Sequence, residues 1–128
     1  MIESRILTMA VLFGAIFGSG FWLSRAGRPH NTLILTVHKL ISLAAVALLF
    51  VTVSQVSRAA PGAQGLLAAS IVAGVFFAGT IITGGLVSGL NTPPPVMSVL
   101  HKYLPYVTLL ATAAVLYLLF AASRQMVV

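Results

Sequence analysis

Charged and strongly polar residues interrupt this chain at only a few places, and the intervals between them set the elements. Residues 6–24 carry no charge. Residues 33–56 hold only His38 and Lys39, close to the start of the run. Residues 66–88 are again uncharged, and residues 96–122 hold only His101 and Lys102, once more close to the start. Each run has about 20 residues or more, enough for a helix to cross a hydrocarbon core of roughly 30 Å. The separating segments are short and rich in turn formers: Arg25-Ala26-Gly27-Arg28-Pro29-His30-Asn31, Ser57-Arg58-Ala59-Ala60-Pro61-Gly62 and Asn91-Thr92-Pro93-Pro94-Pro95. Short links make consecutive helices antiparallel. The pattern predicts an all-α fold, an up-down-up-down four-helix membrane bundle forming one domain over residues 1–128. The first run is too long for the apolar region of a secretory signal, and Gly18-Ser19-Gly20 is followed by further apolar residues, so it is read as a helix.

Composition sharpens this. Of 128 residues, 59% are hydrophobic and 6% are charged, with a mean hydropathy of +1.10. A water-soluble domain carries charge on about a quarter of its residues. The expected solvent is therefore the lipid bilayer, and the expected location an inner (cytoplasmic) membrane of a bacterium. The net charge of +6 does not indicate nucleic acid, because the cations stand singly or in pairs and read as interfacial anchors. Arg25, Arg28, Lys39 and Lys102 fall to one side of the membrane; Arg5, Arg58 and Arg124, with Glu3, fall to the other.

Several chemistries are poorly supplied. The chain has no cysteine, which excludes disulfides and iron–sulfur clusters. Nucleophilic catalysis lacks a cysteine, an aspartate and a buried glutamate to orient a histidine. A zinc or copper centre would have too few ligands. Proton-coupled transport lacks an acid within the spans, since Glu3 is the only one in the chain. Any enzymatic activity would belong to a cofactor, so electron transfer is expected rather than stand-alone catalysis.

The two His-Lys pairs carry the remaining signal. His38 and His101 each lie about five residues past the start of their spans, which puts both rings about 7–8 Å below one membrane face. The halves can be overlaid, with one single-residue gap: Gly20, Ser24, Pro29 and His38-Lys39 on Gly84, Ser88, Pro93 and His101-Lys102. In a sequentially connected bundle the second and fourth spans occupy one diagonal, on the order of 12–14 Å across when neighbouring helices pack 8–10 Å apart. Gly20, Gly84 and Gly85 leave vacant space on the other diagonal. Two imidazoles across such a slot suit one haem b, with His38 and His101 as axial metal ligands and no open site on the iron. Lys39, Lys102, Arg25 and Arg28 would meet its propionates, since carboxylates at a low-dielectric edge need partners.

Each feature has a plainer counterpart. A lone intramembrane histidine can hydrogen-bond a neighbouring helix or reach the headgroups. The lysines are snorkelling anchors on their own account. Gly14, Gly74 and Gly79 are read as close-packing positions, and the small-residue faces they belong to could also serve an oligomer. His30 is read as a solvated loop histidine. Pro105 cannot donate to the carbonyl of His101 and should kink the fourth span.

The single histidines near one face, the His-Lys starts and Thr83-Gly84-Gly85-Leu86 resemble the integral membrane b-type cytochromes, among them the haem-bearing subunits of respiratory dehydrogenases. That resemblance implies electron transfer, with quinone or with a redox partner subunit. Many members hold two haems on four histidines. Here the first and third spans have none, so one bis-histidine haem is the ceiling. The alternative from a different class is a cofactor-free structural or assembly subunit of a membrane complex.

Overall fold

A computed structural model describes residues 2–59 and 64–125. The link proposed at 57–62 therefore lies partly outside the described residues. Among those described, the secondary structure is helical only: α1 spans Ile2–Ala26, α2 Thr32–Ala59, α3 Gln64–Gly89 and α4 Pro95–Gln125. The all-α fold class is as the apolar runs predict, and each helix is long and apolar enough to cross a membrane. Every helix is longer than the run that announces it. Backbone hydrogen bonding continues into the polar flanks, where Arg25, Arg58 and Arg124 occupy last turns and favour the negative end of the helix dipole.

Most large apolar side chains face outward. Leu33 is 73% exposed and Phe50 74%, and Leu7, Phe21, Trp22, Leu110 and Tyr117 are similarly open. Leaving such a side chain in water forfeits about 1.5–3 kcal/mol each. These faces therefore belong against lipid tails.

The chain separates into two compact units, Met1–Thr52 and Val53–Val128, with α2 running across the boundary. In the first unit α1 meets α2 through the link at residues 27–31. Gly27 ends α1 in the left-handed region, φ +69°, where glycine avoids the penalty of a Cβ. The Arg28–Pro29 peptide is cis. Asn31 then caps α2: its Oδ1 accepts from the backbone N–H of Leu33 at 3.0 Å and of Ile34 at 3.2 Å. This satisfies two donors that the first turn leaves unpaired.

In the second unit α3 and α4 form an antiparallel hairpin. Pro95 begins α4, a position where its missing N–H costs nothing. Thr83 faces His101, Thr80 faces Thr108 and Gly79 faces Leu104. Thr80 and Thr108 share a hydroxyl–hydroxyl hydrogen bond of 2.9 Å. Gly79 packs against Leu104, whose Cδ2 would stand 3.0 Å from an added Cβ. Ala73, Phe77, Thr112, Val115 and Leu119 are buried. α4 continues through Pro105.

Candidate functional site

In the first unit His38, half-buried on α2, faces α1. Its Nδ1 lies 2.9 Å from Ser19 Oγ. Its Cε1 comes so near the backbone of Gly20 that a Cβ there would stand 3.1 Å away. Ser19 has one proton to give, and its Oγ is 2.7 Å from the carbonyl of Ala15 and 3.1 Å from that of Ile16. Given to the carbonyl of Ala15, the shortest of these contacts, that proton leaves Oγ to accept from the ring, with the hydrogen on His38 Nδ1.

The second unit repeats this arrangement. His101 Nδ1 lies 3.2 Å from Thr83 Oγ1, which itself donates to the carbonyl of Gly79 at 2.8 Å. It also lies 3.1 Å from the carbonyl oxygen of Thr80. A carbonyl only accepts, so Nδ1 must be the donor. A Cβ at Gly84 would stand 2.6 Å from His101 Cε1. In a neutral imidazole one nitrogen donates and the other keeps its lone pair. With Nδ1 donating in both rings, Nε2 is the nitrogen with the lone pair. Metal-ligating histidines take this state, with the other N–H held by an acceptor of the protein.

The two sites therefore share a pattern: a hydroxyl residue, a glycine, a helix end and link, then His-Lys on the next helix. Ser19-Gly20 answers to Thr83-Gly84, and the hydroxyl-to-histidine separations are 19 and 18 residues. Ser19 and Thr83 stand in stretches that the sequence brings forward, but neither is given a role at the site there. The signal was present, because aligning Gly20 with Gly84 also aligns the hydroxyls immediately before them.

Within each unit the structure brings Gly20 to His38 and Gly84 to His101. The space at these two glycines holds the histidine rings themselves. Gly85 has nothing within 4 Å of where a Cβ would be, and the same is true of Gly14 and Gly74. Close packing is thus found at Gly79 but not at Gly14 or Gly74 among the described residues. Arg25, Arg28, Lys39 and Lys102 are exposed. Arg25 lies over the Phe21 ring at 4.8 Å, and Lys102 over Tyr103 at 5.6 Å, so two of these cations rest on aromatic faces near helix ends. His30 departs from the solvated loop histidine expected: it is half-buried, and its Nδ1 is buried without a hydrogen-bond partner.

Each unit thus presents one imidazole whose lone pair lies on Nε2, the state in which a neutral histidine ligates a metal. No protein-family model, curated protein or solved structure matches the chain.

Proposed function

We propose that this chain is a membrane-embedded b-type cytochrome, an electron-transfer protein that holds one haem b through His38 and His101. The observation that carries the reading is the duplicated clip. In both units the Nδ1 of a histidine near the start of a span meets an acceptor on the preceding helix, the contact that puts the ring's lone pair on Nε2. Haem b, when bound through two imidazoles, supplies a one-electron ferric/ferrous couple with no vacant position for oxygen. The chain's own part is to hold the rings, exclude water with its apolar helices and neutralise the propionates. Lys39, Lys102, Arg25 and Arg28 are the cations proposed for that last task. With a single haem, the electron path across the bilayer would be completed by quinone or by a redox partner subunit. The location proposed with this reading is the inner membrane of a bacterium.

The test is the absorption spectrum, oxidised and reduced, of the chain purified in detergent. A low-spin b-type spectrum is expected, and His38→Ala or His101→Ala should each abolish it. A colourless protein that also fails to take up added haemin would sink the reading.

A second reading has its own support. Both histidines already make hydrogen bonds between helices, and such bonds contribute to association of membrane helices, about 0.6 kcal/mol on average. On that ground the chain would be a cofactor-free subunit whose histidines join helices. It predicts colourless protein in which either histidine variant loses stability but no chromophore.

A further inference from the structure

We propose, resting on the haem reading, that Gly20 and Gly84 are positioning residues. Each lacks a side chain so that the histidine ring of the next helix can lie against the backbone, give its Nδ1 proton to an acceptor there and present Nε2 as the ligand nitrogen. This differs from the role the sequence suggests for them, which is to make room for the cofactor.

The geometry distinguishes these two from the other described glycines. Beside Gly20, a Cβ would meet Cε1, Nδ1 and Nε2 of His38 at 3.1, 3.7 and 3.8 Å. Beside Gly84, it would meet the same three atoms of His101 at 2.6, 3.2 and 3.2 Å. Gly14, Gly18, Gly74 and Gly85 have open space at that position. Thus the glycines in ring contact are the ones that follow Ser19 and Thr83. At Gly84 the closeness has a second consequence. The ring reaches the carbonyl oxygen of Thr80, one turn earlier on α3, and a backbone acceptor cannot be removed by a side-chain change. The Nδ1–H state of His101 therefore depends on how near the ring can come, and Gly84 controls that.

The two contacts are unequal. A Cβ at 2.6 Å is closer than van der Waals contact permits, so Gly84→Ala must push the ring away and break its reach to Thr80. At 3.1 Å, Gly20→Ala needs the His38 ring to give only a few tenths of an ångström.

The experiment uses the full chain in detergent with ring-¹⁵N-labelled histidine, read by NMR without haem and by absorption after haemin is added. In the haem-free wild type, His101 should show one protonated and one bare nitrogen, with Nδ1 protonated. Gly84→Ala should collapse that pair toward averaged values and cut the low-spin spectrum at least several-fold. Gly20→Ala should have a smaller effect on His38, and Gly74→Ala should have none. Circular dichroism and size-exclusion profiles show whether each variant folds. If Gly84→Ala does not, Thr83→Val carries the test: it keeps the glycine and the Thr80 carbonyl, so His101 should retain the Nδ1–H pattern. Unchanged His101 nitrogens in folded Gly84→Ala, or a lost pattern in Thr83→Val, would overturn the positioning role even if the low-spin spectrum forms. The expected nitrogen patterns without any spectrum on haemin addition would support the positioning and overturn the haem reading instead.

Discussion

The histidine–glycine contacts depend on where each histidine lies along its helix and on how that helix is rotated about its own axis. The positions of His38 and His101 near span starts follow directly from the sequence. Which way each ring points does not, because it depends on the rotation of a helix about its axis. An amphipathic helix reveals that rotation through its polar face. These spans are apolar almost all round, so their sequences leave it open. The small-residue positions divide for the same reason: Gly79 packs on Leu104, whereas Gly74, five residues earlier, has nothing within 4 Å of where a Cβ would stand. The polar pair below the second histidine can be tested directly. Thr108→Val removes the 2.9 Å partner of Thr80 Oγ1 with little change of shape. The expected loss is about 0.6 kcal/mol, typical of interhelical hydrogen bonds in membranes, measured by reversible unfolding in mixed micelles. A loss above about 2 kcal/mol would show that the pair organises more of the hairpin than its own bond. The modest figure follows because Thr80 Oγ1 keeps an acceptor of its own, the carbonyl of Phe76 at 2.8 Å.

The helices themselves were readable to within a few residues, and the differences fall at their ends. The apolar run 33–56 announces α2, yet the helix begins at Thr32 and extends to Ala59, because its start is fixed by Asn31 rather than by hydropathy. Asn31→Ala should cost about 1 kcal/mol and raise hydrogen exchange at Leu33 and Ile34, while Asn31→Asp should keep the cap. Equal exchange in wild type and Asn31→Ala would mean that other contacts hold this turn. The other side of the link has a different requirement. Gly27→Ala forces a Cβ into the left-handed region at φ +69°, at a cost of roughly 1–2 kcal/mol. Its effect should appear as fraying of the last turn of α1, around Arg25. Pro105, where a kink is expected, lies inside α4, which is helical on both sides of it from Pro95 to Gln125. Proline is tolerated in membrane helices where neighbouring groups make good the lost bond.

Taken together, the four apolar helices place the chain in a bilayer, and the question is what the two equivalent histidine clips hold. Their equivalence permits a quantitative discrimination. If one haem takes an imidazole from each unit, neither histidine is sufficient. His38→Ala and His101→Ala should then each remove essentially all of the low-spin spectrum, and the double variant should lose no more. The native ratio should be one haem per chain. If instead each clip served its own cofactor, each single variant should keep about half the chromophore, and only the double variant should be colourless. If the clips only join helices, none of the three variants would differ in colour, and their stability losses should add, as for independent sites. Titrating haemin into the wild type and the three variants at equal protein concentration distinguishes these outcomes. The bis-histidine proposal requires a break at one equivalent in the wild type and the absence of a low-spin band in all three variants. Retention of half the band in either single variant is incompatible with it, because an iron ligated by one imidazole alone is not held in the low-spin, closed state that two strong axial nitrogens impose.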